Sequence, residues 1–195
     1  MTVSTEQIKA LREATGVSMM QCKNALEEAA GDMDKARIIL QKLSSKAASK
    51  KADRDLGAGT VASYIHAGGN VGAMVELLCE TDFVAKNEAF QSLARELAMQ
   101  VAATAPKYVR VSEIDEVSKT KATEVFENEI KDKPADIQAK ILEGKLNAFF
   151  KEQTLLNQDY IKDPSKTVSQ LIEEAIQKIG ERIDVGRIAR FSVVE

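Results

Sequence analysis

His66 is the only imidazole in the chain, and Cys22 and Cys79 are its only thiols. A zinc site or an activated nucleophile needs such groups converging at ligand or hydrogen-bond spacing. They do not converge here. His66 sits beside the turn Ala67-Gly68-Gly69-Asn70 with no Cys or carboxylate cluster at ligand spacing, and so reads as a solvated or satisfied side chain. The glycines at 57–59 and 67–69 lack the Gly-Lys-Ser/Thr ending of a phosphate loop and the spacing of a dinucleotide fingerprint. No Gly-x-Ser-x-Gly elbow is present. The expectation is a protein that is not an enzyme, with no catalytic residue, metal or cofactor.

What remains is a carboxylate beside an aromatic ring, Asp82-Phe83, within CETDFVAKNEAF at 79–90. The pair falls where an apolar strand gives way to an amphipathic helix. Phe90 and Leu93 already supply bulk at the start of that helix, and Thr81 or Asp82 can cap a turn. Packing alone favours Phe83 turned under the helix; outward projection toward a partner is the alternative.

The elements around this corner are punctuated clearly. Ser4 with Gln7 and Ser18 with Gln21 form candidate capping boxes. They open one helix with the stripe Ile8, Leu11 and Ala14, stopped by Gly16, and a second with Cys22, Ala25, Leu26 and Ala29, stopped by Gly31. Val17 can staple against Cys22. Asp32 caps a third helix lined by Met33, Ala36, Leu40 and Leu43. Met19 and Met20 cannot both face this small core, because helix neighbours point about 100° apart. They either half-bury at the helix start or form an adaptable edge for a partner.

A charged, Ala-rich linker follows. From Thr60 the period changes to two: Val61 and Ile65 share one face, Tyr64 and His66 the other, and Val71, Ala73, Val75, Leu77 and Cys79 alternate beyond the turn. Asn87 caps a helix with the stripe Ala89, Phe90, Leu93, Ala94, Leu97, Ala98, Val101 and Ala102. The last third reads as helical until its end. It offers two charged helices with Pro134 opening the second, an apolar-striped helix to Gly180, and a terminal strand with Val185, Ala189, Phe191 and Val193. That strand can join the hairpin as a three-stranded antiparallel sheet, so the fold class is α+β.

Composition bounds the function. The 195 residues are 44% apolar and 29% charged with no Trp, a soluble, helix-favouring balance without a bilayer-length apolar run. The N-terminal stretch is too polar and too helically patterned for a signal peptide, and the two thiols fall on apolar stripes, so a cytoplasmic location is expected. A net charge of −3 argues against direct nucleic-acid binding. Lys46, Lys50, Lys51 and Arg54 are interrupted by Asp53 and Asp55 and have no aromatic beside them for stacking, so this linker reads as a solvated connecting helix and not a nucleic-acid patch. A protein-binding module is the class left standing.

LREATGVSMMQCKNALEEAAGDMDKA and VELLCETDFVAKNEAFQSLA closely resemble the bacterial elongation factor Ts family. PADIQAKILEGKLNAFF, DPSKTVSQLIEEAIQKIG and RIARF match its later segments. The resemblance covers essentially the whole chain. It implies an exchange factor that binds the GTPase elongation factor Tu in its GDP form and promotes GDP release. Thr81, Asp82, Phe83 and Val84 would disturb the partner's Mg²⁺ site, with Phe83 a wedge between helices, and Arg12, Met19 and Met20 would contact the partner from the N-terminal module. The implied organisation is a three-helix, ubiquitin-associated-like module over 1–45, a linker over 46–58, and a core and dimerisation domain over 59–195. The core would comprise a hairpin at 60–80, a helix at 87–104, a helical hairpin at 113–151, a helix at 168–179 and a strand at 183–194. Ser18 and Gln21 replace a glycine and an aspartate common in the family, and Leu78 replaces a frequent asparagine. Longer relatives carry a second hairpin core, so a homodimer is the expected source of the missing half, burying the terminal strand and Phe126, Phe149 and Phe150.

Overall fold

The computed structural model describes residues 3–193. Helices α1 (Thr5–Thr15), α2 (Met19–Glu28) and α3 (Met33–Ser49) precede strands β1 (Ala58–Ile65) and β2 (Val71–Cys79). After them come the one-turn helix α4 (Asp82–Ala85), α5 (Glu88–Thr104), and the helical pair α6 (Glu116–Ile130) and α7 (Ala135–Gln153). A short ribbon, β3 (Asp159–Tyr160) with β4 (Asp163–Thr167), then α8 (Val168–Ile179) and β5 (Ile183–Ser192) complete the order. The class is α+β, with a three-stranded sheet ordered β1-β2-β5 and the two-stranded antiparallel β3-β4. Val194, the last residue of the expected terminal strand, lies outside the described residues.

The chain divides into two compact units. One holds the chain up to Thr60 with Leu77–Leu93 and Ser169–Asp184; the other holds Val61–Glu76, Ala94–Val168 and the chain from Val185 on.

In the first unit, Leu11, Val17, Cys22, Ala25, Leu26, Ala29, Ala36 and Leu40 form one buried cluster. Ser4 and Gln7 make the full reciprocal capping box. At α2 the device is only half made. Ser18 Oγ accepts from the Gln21 N–H, but the Gln21 side chain bonds back to that same hydroxyl. Gly16 ends α1 at φ 68°, a left-handed conformation that costs a residue without Cβ little. Ala14 and Leu43, expected inside, are exposed, because Leu11 and Leu40 already fill the narrow cluster. Helix α3 also runs on to Ser49, into the expected linker. Its end is held by α8: Ser44 Oγ donates to Gln177 Oε1, and Ser45 Oγ to Glu173 Oε2.

In the second unit, Leu97, Ala98, Val101, Val109, Leu155, Val168 and Val185 are buried. In a third of the chain that otherwise reads as helical up to its terminal strand, the ribbon β3–β4 lies between the helices expected at 113–151 and 168–179. The buried Gln100 fixes it, donating to Gln158 Oε1 and to the Asp159 carbonyl and accepting from the Ile161 N–H. In β1 the shared face of Val61 and Ile65 is the exposed one, since Ala62 takes the inward position. Phe191 and Val193 are likewise exposed, where β5 runs past the last buried residue on that face, Val185. Ala89 is exposed at the start of α5, while every other residue of the expected stripe is buried.

Candidate partner-binding site

Strand β2 delivers the chain to the corner through Cys79, whose buried thiol donates to the Thr81 carbonyl at 3.2 Å. Burial pushes that thiol's pKa up, with the nearby Glu181 charge adding to the effect, so it stays a neutral, inert side chain. Both cysteines are free and buried, acting as small hydrophobes as expected.

Thr81 is the N-cap of α4, in extended conformation, and its Oγ1 accepts from the Val84 N–H at 3.4 Å. Only one residue of a single turn can point fully inward, because successive positions differ by about 100°. Val84 takes that place and is buried, so Phe83 stands out with 79% of its surface exposed. This corrects the packing expectation that the ring turns under the helix. Asp82 beside it is also exposed and pairs with Lys86 Nζ at 2.9 Å. The hydrogen bond from Lys86 lowers the Asp82 pKa, so the carboxylate carries its charge at neutral pH. The pair is solvated, and such pairs add little to stability.

The corner is closed on its far side by Asn87, whose Oδ1 accepts from the Ala89 N–H at 2.9 Å and starts α5. Residues distant in sequence hold its near side. Glu80 accepts from the Arg182 backbone N–H and from Arg54 Nη1 at 3.1 Å, and these contacts, the Arg182 bond foremost, keep its pKa low. Glu181 accepts from Thr81. Sequence reasoning missed the roles of Arg54, Glu80, Glu181 and Arg182 here, because no local spacing signals contacts between residues 26 to 102 positions apart.

At the N-terminal module, Arg12 lies exposed in the last turn of α1. Val17 and Cys22 are both buried around the start of α2, as a staple requires, which leaves Met19 38% and Met20 65% exposed. Arg12, Met19, Met20 and Thr81–Val84 all belong to the first compact unit. His66 is exposed, with Nδ1 3.2 Å from Tyr64 Oη. Among the described residues no group of three or more His, Cys, Asp or Glu could hold a metal ion, and no helix is long and apolar enough to cross a membrane.

The sequence model of the family described as Elongation factor TS matches residues 3–195. The chain belongs to the elongation factor Ts family. It is 48% identical over 195 residues to the elongation factor Ts of Desulforamulus reducens, covering 99% of this chain and 90% of that one. It is 46% identical to the elongation factor Ts of Thermosipho melanesiensis, covering 99% and 100% of the two chains, and 47% identical to that of Thermotoga neapolitana, covering 100% and 99%. These elongation factor Ts chains are therefore close to this one in length.

Proposed function

We propose that the chain is a guanine nucleotide exchange factor in translation that binds elongation factor Tu·GDP and speeds GDP release, so that GTP can rebind. The observation carrying this reading is Phe83, 79% exposed on a one-turn helix N-capped by Thr81, with an ionised carboxylate next to it. An isolated exposed aromatic in a loop needs no explanation. One held on a capped turn is a pre-organised anchor, and burying such a ring contributes roughly 2–3 kcal/mol.

The mechanism needs no covalent step. Phe83 wedges between helices of the GTPase, and Asp82 places negative charge near the Mg²⁺ that bridges the nucleotide phosphates. A bound cation is among the largest local charges in such a site, so disturbing it weakens GDP. Thr81 and Val84 keep the turn formed. Exchange is then a coupling between two binding events: whatever factor this chain takes from GDP affinity, GDP must take from the affinity for this chain. Titrations of elongation factor Tu with this chain, with and without saturating GDP, are expected to differ by that factor. Equal affinities would remove the mechanism.

Arg12, Met19 and Met20 form the second contact, on the ubiquitin-associated-like module over 1–45. Methionine suits such an edge because its unbranched side chain adapts to an irregular surface. The double change Met19→Ala, Met20→Ala is expected to weaken the complex about tenfold (~1.4 kcal/mol). The melting temperature should stay unchanged, since both side chains are exposed. A titration matching the unchanged protein would return these residues to the role of helix-start filler.

The working unit in this reading is a cytoplasmic homodimer. Val61 and Ile65 on β1 and Met74 on β2 leave exposed apolar side chains on the outer face of the three-stranded sheet. A two-fold pairing of copies covers such a face. The helical pair supplies less support than its sequence suggests. Phe149 packs edge-on against both Phe126 and Phe150, and Lys145 lies over the Phe126 ring, so these rings are already partnered. Light scattering at micromolar concentration should give a mass near twice 21.3 kDa. A mass of one chain, persisting as concentration rises, would discard the dimer.

A further inference from the structure

The segments 80–81 and 181–182 hold each other through two crossed carboxylate contacts. Glu80 accepts the backbone N–H of Arg182, and Glu181 accepts from Thr81 twice: the backbone N–H to Oε2 at 3.0 Å and the hydroxyl to Oε1 at 2.7 Å. Thr81 caps α4, the turn that carries Phe83. A threonine hydroxyl has one proton to give, and giving it to Glu181 leaves its lone pairs for the Val84 N–H. The carboxylate thus sets both the backbone and the hydroxyl of the cap, through charge-assisted bonds.

Glu181 lies immediately beyond Gly180, where α8 ends. The same helix is bonded to α3 through Ser44–Gln177 and Ser45–Glu173, and the Lys178 side chain runs beside Gly16, three residues before Met19. One helix therefore touches both the corner's cap and the N-terminal module. We infer that Glu181 is the positioning residue of the Thr81–Val84 corner: its carboxylate fixes the direction in which Phe83 points and, through α8, registers the corner against the Met19–Met20 edge. Glu181 acts through Thr81 and is not itself a contact residue. The inference rests on the exchange-factor reading and adds to it the residue that aims the wedge.

The test compares Glu181→Ala and Glu181→Gln, each alone and combined with Phe83→Ala, in labelled-GDP release from elongation factor Tu at saturating concentrations of this chain. Glutamine can still reach the Thr81 N–H and hydroxyl with its amide oxygen and NH₂, but it is neutral and so loses the charge assistance on both bonds. Both single variants are expected to slow release about tenfold, and neither should slow it further in the Phe83→Ala background. A residue that merely filled space would be rescued by the isosteric glutamine, so Glu181→Gln at the unchanged rate, with Phe83→Ala slow, overturns the positioning role alone. Phe83→Ala at the unchanged rate overturns the wedge reading instead. Hydrogen exchange of the Val84 amide reads the latch without any partner. It should quicken about tenfold in Glu181→Gln, and an unchanged rate there overturns the inference whatever the GTPase assay gives.

Discussion

Replacing Phe83 by alanine is expected to slow GDP release from elongation factor Tu about 30-fold or more at a fixed, subsaturating concentration of this chain, while the melting temperature moves by no more than about 1 °C. A hot-spot aromatic at an interface costs about 2 kcal/mol or more on truncation, and each 1.4 kcal/mol is a factor of ten. Stability is spared for a geometric reason. With 79% of the ring in solvent, removing it opens no cavity and strips no buried neighbour of contacts. The turn survives too, since its cap is Thr81, its inward anchor is Val84, and the next helix is started by Asn87. The measurement pair is a GDP-release rate and a thermal melt on one preparation. A melt lowered by many degrees, with exchange preserved where the variant stays folded, would make Phe83 a packing residue after all.

Phe90, seven residues on, is expected to behave in the opposite way. Its side chain is fully buried in the first turn of α5. Truncating it to alanine should cost about 3–5 kcal/mol of stability, because the transfer free energy of the ring is lost and a cavity remains. For a chain of this length that lowers the melting temperature by about 10 °C or more. Binding to elongation factor Tu, measured well below the variant's melting point, should change little. Urea unfolding followed by circular dichroism checks the magnitude through the shift in midpoint. A midpoint unchanged from the parent chain would mean that α5 does not depend on this ring.

The contrast between the two phenylalanines marks what the sequence makes legible. Phe90 opens a stripe that repeats over roughly three turns to Ala102, and a repeat of that length leaves one possible inward face. Helix α8 was equally plain, its end marked by Gly180, and so was the alternation of β2 down to Cys79. A single turn such as α4 has no period. Nothing in Thr-Asp-Phe-Val says which residue faces in, and packing logic favoured the wrong one; the family resemblance implied the exposed ring. Strand parity suffers from the same limit. Val61 and Ile65 do share a face, but β1 lies at the edge of its sheet, and parity alone does not tell which face is covered.

Other features were hidden by length or by distance along the chain. The ribbon β3–β4 pairs a two-residue strand with a five-residue one, too short for alternation to register, and it depends on Gln100, a polar residue inside an apolar stripe. The extension of α3 to Ser49 agrees with the connecting helix that the charged linker composition suggests, but its anchoring by α8, more than a hundred residues later, has no local signal. The same holds for the Glu181–Thr81 latch. Caps and stripes are local and therefore readable. Contacts that join remote segments are set by the fold, and they decide how the corner is held.

Mixing this chain with elongation factor Tu preloaded with labelled GDP, and following label release into excess unlabelled nucleotide at fixed Mg²⁺, tests the central claim most directly. Release should accelerate by about tenfold or more and rise toward a plateau as the chain is added, with the acceleration falling as Mg²⁺ is raised, because in the proposed mechanism the corner acts against that ion. A release rate equal to that of elongation factor Tu alone, at chain concentrations where a complex is seen to form, would contradict the account.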